Sequence, residues 1–85
     1  MKESRKIWQK EYRDAMGDLI EALDKEREKQ GITIYQFGRM VKSNGSWWHN
    51  ILRSRAAMLD SFLKACDNLN IEITLTDADG NNIVW

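Results

Sequence analysis

From Ile7 to Leu23 the apolar residues fall at Trp8, Tyr12, Ala15, Met16, Leu19, Ile20 and Leu23, a spacing of three and four that puts them on one helical face. The pattern predicts a long first helix. Gly17 interrupts it at a cost of about 1 kcal/mol against alanine, so the helix is expected to bend or divide there, or to use the missing side chain for close packing. The polar run over residues 24–31 ends the pattern, and Gly31 can take the left-handed conformation that closes a helix.

Thr33 and Gln36 then have the spacing of a capping box, in which each side chain bonds the other's backbone amide, with Ile32 and Phe37 as the flanking hydrophobic staple. A second helix is predicted from Ile34 through Val41, stopped by Lys42-Ser43-Asn44-Gly45. A third begins at Gly45 or Ser46, capped by Asn44 or Ser46, and runs to Arg53 with Trp48, Ile51 and Leu52 inward. Past Ser54, Ala56 and Ala57, the segment Met58–Leu69 sets Leu59, Phe62, Leu63, Cys66 and Leu69 on one stripe, which predicts a fourth helix with Asn70 as its left-handed cap. The period then changes to two. Ile71, Ile73 and Leu75 alternate with Glu72, Thr74 and Thr76, Asp77 to Asn81 form a turn, and Ile83-Val84-Trp85 can return antiparallel. A lone hairpin is marginal in water, so it is expected to pack on the helices or to pair with the hairpin of a second chain.

The expected fold is thus mainly α, a bundle of four to five helices over residues 1–70 followed by a two-stranded β-hairpin over 71–85. At 85 residues the chain is one small domain, in which a walled enzyme pocket would compete with the core for the same apolar residues. One cysteine and one histidine supply neither a disulfide nor the four ligands of a structural zinc. Asp77-x-Asp79-Gly80-Asn81 resembles part of a calcium loop, but the chain ends before the glutamate such a loop needs, and it is read as a turn. With no glycine-rich phosphate loop and no Ser/His/Asp set, neither enzyme activity nor a cofactor nor a metal is expected. No run approaches the roughly 18 apolar residues of a membrane span, so a cytoplasmic protein is expected.

Charge changes this picture. The 13 Lys/Arg and 13 Asp/Glu cancel, yet residues 1–13 hold five bases and two acids, 14–30 three and six, 31–57 four and none, and 58–85 one and five. The acid-free stretch with Arg39, Lys42, Arg53 and Arg55 is either a face for phosphate or a chance cluster on a solvated surface.

The arrangement from Gly31 to Ile71 resembles the helix-turn-helix domain of the Xre/Cro/phage-repressor family, a lambda-repressor-like bundle. Three stretches carry the likeness. They are Gly31-Ile32-Thr33-Ile34-Tyr35-Gln36-Phe37-Gly38, the recognition-helix outline from Asn44 to Ser54, and Leu59 through Ile71, which is the most similar. Gly38 stands where a small residue lets the two helices approach. Lys42 replaces the usual glycine of the turn, Ser43 an apolar residue, and Ile34 a polar residue that in relatives often touches phosphate. A left-handed non-glycine costs about 1 kcal/mol, so the turn is expected to take another shape around Asn44-Gly45.

The resemblance implies a dimeric, sequence-specific transcriptional regulator, bacterial or phage-encoded, with its recognition helix in the major groove of a palindromic operator. By position Gly45, Ser46, Trp47, His49 and Asn50 would face base edges: Asn50 suits adenine, His49 guanine, and Trp47 a thymine methyl. Trp48 is taken as core, Trp47 either as groove-facing or as a partly buried wall, and His49 either as a base contact or as plain surface. Thr33, Arg39, Lys42, Asn44, Arg53 and Arg55 are the expected phosphate contacts. The basic start, with Lys2, Arg5, Lys6, Lys10 and Arg13, is either an arm along the backbone or a solvated helix end.

The tail from Leu69 to Ala78, with Trp85, resembles that of Xre-type antitoxins that partner HipA-like kinases. This implies dimerisation through Ile71, Ile73, Leu75, Ile83 and Trp85 and a toxin as a further partner, though pairing through the long first helix stays open. The alternative is a protein-interaction module that keeps the fold without binding DNA, for which Gly45, Trp47 and the neutral net charge speak.

Overall fold

Continuous apolar spacing with strong helix formers on either side of Gly17 gives α1, Lys2–Lys29, a single helix of 28 residues. At 1.5 Å per residue it is about 42 Å long, so it alone accounts for the 43 Å long axis of the molecule. The computed structural model describes residues 2–84, with side chains from Lys10 onward; Trp85 and the side chains of Lys2, Arg5, Lys6 and Trp8, for which expectations were stated, lie outside the described residues. After α1 come α2 (Ile34–Met40), α3 (Trp47–Ser54), α4 (Leu59–Asn68), β1 (Leu75–Thr76) and β2 (Asn82–Ile83). Among the described residues the fold is therefore mainly helical, four helices with one two-stranded antiparallel sheet. None of these helices is long and apolar enough to cross a membrane.

Gly17 does not divide α1. Its missing side chain makes room for the Arg55 guanidinium, whose central carbon would lie 2.6 Å from a Cβ built at that position. The core gathers Ile20 and Leu23 of α1, Phe37 of α2, Trp48 and Ile51 of α3, and Ala65, Cys66 and Leu69 around α4. Phe37 and Trp48 meet edge to face, 5.1 Å between ring centroids. The Trp48 indole N–H donates to Asp24 Oδ1 at 2.8 Å, and the same oxygen accepts from Nε of buried Arg27 at 2.8 Å. Arg27 also donates to the Ile32 carbonyl at 2.6 Å, so one carboxylate and one guanidinium join α1, the α1–α2 connection and α3. Burial pushes the Cys66 thiol up from its ordinary pKa and holds it in the unreactive neutral form.

Three helices end in the same way. Gly31, Lys42 and Asn70 all have φ between 58° and 74°, and at each the residue's own N–H and the next N–H bond back into the last helical turn. Around Lys42 these are Lys42 N–H to Arg39 O at 3.0 Å and Ser43 N–H to Gly38 O at 2.8 Å, the two bonds of a Schellman motif. The turn after α2 thus keeps the left-handed residue although that residue is lysine, which corrects the expected change of shape. Two hydrogen bonds that satisfy otherwise orphaned carbonyls outweigh a conformational cost of about 1 kcal/mol.

Two further expectations are corrected. On α4 the inward stripe is Phe62, Ala65, Cys66 and Leu69, while Leu63 turns away from that side and Leu59, one turn before Phe62, lies at the groove with α1 beyond the core. The strand expected over 71–76 is reduced to Leu75–Thr76, paired with Asn82–Ile83 in the register Leu75 to Ile83. Ile71 and Ile73 are partly buried and pack against the helical core instead of extending the strand. Leu75 and Ile83 remain about half exposed. The turn between the strands forms as expected, with Asp77 Oδ1 accepting from the amides of Asp79 at 3.0 Å and Asn81 at 2.9 Å.

Candidate nucleic-acid interface

The pair α2–α3 starts from the Thr33 cap. Thr33 Oγ1 accepts from the Gln36 amide at 3.1 Å and Gln36 Oε1 accepts from the Thr33 amide at 2.9 Å, so the capping box forms with both its bonds. The Thr33 hydroxyl oxygen is thereby engaged as an acceptor, with its O–H still able to donate outward. Gly38 lets α2 touch the turn that leads to α3: a Cβ there would fall inside van der Waals distance of the Asn44 carbonyl oxygen. Asn44 organises that turn. Its Oδ1 accepts from the Ser46 amide at 3.0 Å and from the Ser46 hydroxyl at 2.8 Å, while its carbonyl accepts from the Trp47 amide at 3.2 Å. Ser46 precedes α3 without donating or accepting as a side-chain cap.

These contacts redistribute the expected base-reading residues. Gly45 is half-buried beneath the Tyr35 ring, whose Cε2 would lie 2.6 Å from a Cβ at that position. It packs against Tyr35, and only its backbone is left to meet a ligand. Trp47 is a partly buried wall: its ring lies 5.6 Å from Phe37 and lines a hollow between α3 and α4 with Ile51, Ala57 and Met58. A tryptophan directly before buried Trp48 can be tucked sideways into that hollow because α3 begins there and crowds it on one side only.

The outer face of α3 carries Ser46, His49, Asn50 and Arg53, spaced at three and four residues and all exposed. His49, Asn50 and Arg53 have no side-chain partner among the described residues, so their donors and acceptors are free for a ligand. Arg39 and Lys42 add two exposed, unpaired cations from the end of α2 and the turn.

Arg55 does not join them. It sits at the end of α3 in the left-handed region (φ 54°), turned back toward α1, where its guanidinium covers Gly17, pairs with Glu21 and lies 3.6 Å from Asp18. The hydrogen bond and charge of Glu21 raise its pKa above the ordinary arginine value. In this arrangement its charge is answered by exposed α1 carboxylates, so a phosphate would have to compete with Glu21 and Asp18 for it. The free cations of the acid-free segment are therefore Arg39, Lys42 and Arg53.

Tyr35 went unnoticed in the sequence. It is 65% exposed, and its ring stands over Gly45 at the start of α3, adding an aromatic hydroxyl to the rim of this face. The sequence carried no signal for it, because only the folded backbone shows that Gly45 needs no positive φ and is there for a close neighbour. No protein-family model, curated protein or solved structure matches the chain.

Proposed function

We propose that this chain is a lambda-repressor-like helix-turn-helix protein that binds double-stranded DNA by laying α3 in the major groove. The reading is carried by the free polar face of His49, Asn50 and Arg53 on a segment without a carboxylate of its own. A helix fits the major groove, and the carboxamide of Asn50 can pair with both N6 and N7 of an adenine, while His49 can donate to a guanine. Arg53, Arg39 and Lys42 would take phosphates, where charge matters more than geometry. Two copies on an inverted repeat, with half-sites roughly 34 Å apart, would repress transcription by occlusion in a bacterial or phage-infected cytoplasm. A toxin partner is supported by the resemblance of the tail alone.

Selection of bound duplexes from a random pool by the purified protein tests this directly. The expected result is an enriched palindrome whose affinity falls steeply with salt. Asn50→Ala should relax preference at one base position by about 1–3 kcal/mol. Arg53→Ala should instead weaken binding to every sequence and reduce the salt slope by about 1. No enrichment and no salt-dependent binding would overturn the DNA reading in favour of a protein-interaction module.

A further inference from the structure

One side of α1 is left uncovered. Tyr12, Met16 and Leu19 form one wall of an apolar groove of about 450 Å³, facing Leu59 and Phe62 of α4, and Leu19 and Leu59 are 55% and 72% exposed. The molecule as a whole is elongated. A 10.0 kDa chain exposes 6930 Å² where a compact monomer of that mass would expose about 5,200 Å². Its radius of gyration is 14.9 Å against about 12 Å for a compact domain of this length.

The charge along α1 selects the occupant. Residues 2–13 hold five bases and two acids, and residues 18–29 hold five acids and three bases. A second α1 laid antiparallel, with its midpoint over Ala15 and Met16, sets the basic half of each copy beside the acidic half of the other. Parallel pairing would set like beside like. In the antiparallel register Tyr12 lies opposite the partner subunit's Leu19, and Leu19 opposite the partner subunit's Tyr12, so the exposed apolar residues complement themselves about a two-fold axis. We propose that the α1–α4 groove is a dimer interface, closed by the antiparallel α1 of a second copy of this chain. Opposite charges at both ends of the pair favour this alignment and suppress the other.

The pairing of two copies is shared with the functional reading above, but this interface uses α1 and α4 rather than the hairpin and stands whether or not the pair binds DNA. Sedimentation equilibrium of the full chain is the test. The wild-type chain is expected to be a dimer, and Leu19→Glu to raise its dissociation constant at least a hundredfold with helical circular dichroism unchanged. Adding Tyr12→Lys to Leu19→Glu should restore the dimer, because the new lysine faces the new glutamate only across the antiparallel interface. Ile83→Asp in the hairpin should leave the dimer intact.

A monomeric wild-type chain, a Leu19→Glu variant that still dimerises, or a double variant that stays monomeric would each overturn the proposal. Dissociation by Ile83→Asp with a stable Leu19→Glu dimer would also overturn it and return the interface to the hairpin. Binding of the Leu19→Glu monomer to a single half-site separates failure of the interface from failure of the DNA reading.

Discussion

The two halves of α1 are one continuous helix, yet they have opposite relations to the rest of the molecule. From Ile20 onward the helix buries Ile20, Leu23 and Arg27, and Asp24 holds both Arg27 and the indole of Trp48. Before Ile20 the residues with the same spacing, Tyr12, Met16 and Leu19, stand exposed. Amphipathic periodicity therefore reports that a face will be covered, without reporting whether the cover comes from the same chain.

Substitutions along this one helix should reproduce that division, beginning with the largest effect. Leu23→Ala removes a buried side chain and leaves a cavity between α1 and the core, and chemical denaturation should show a loss of about 2–5 kcal/mol. Asp24→Ala deprives a buried guanidinium and a buried indole N–H of their shared acceptor, with an expected loss of about 2–4 kcal/mol in the same measurement. A loss below about 1 kcal/mol would mean that the Ile32 carbonyl and Glu28 together suffice for Arg27.

Gly17→Ala lies at the border between the halves. Its new methyl meets only the movable end of Arg55, so the gain in helix propensity should prevail, raising stability by about 0.5–1 kcal/mol and releasing Arg55 from Glu21. Leu19→Ala, measured at dilutions where copies are apart, should change unfolding by no more than about 0.5 kcal/mol. A large effect there would show that the exposed half is covered within the chain, and would erase the contrast.

What the sequence made legible was chemistry confined to a few neighbouring residues. Thr33 with Gln36, Gly31, Asn70 and the Asp77 turn could each be read because donor, acceptor and backbone lie within one turn of each other. Lys42 was misjudged for an instructive reason: residue type argued against a left-handed conformation that two backbone hydrogen bonds impose. Leu59, Leu63, Ile71 and Ile73 show that a period identifies an apolar face but not its neighbour.

The candidate site divides along the same line. His49, Asn50 and Arg53 could be placed from the frame of α3 alone. Gly45, Trp47 and Arg55 depended on Tyr35, Phe37 and the α1 carboxylates, which are distant in sequence or on another helix. An acid-free segment is not an acid-free environment.

The amide of Gln30 has a consequence in time. Its Nε2 donates to the Leu69 carbonyl at 2.8 Å, joining the end of α1 to the end of α4 across 39 residues of chain. The entropy of closing so long a loop is set against the short closure between α2 and α3, so the helical hairpin of α2 and α3 should assemble early and α4 should dock late. By the same reasoning α4 should leave first when the protein opens. Native-state hydrogen exchange should then find the amides of Ala65 and Cys66 exchanging through smaller openings than those of Phe37 and Ile51, although all four residues share one core.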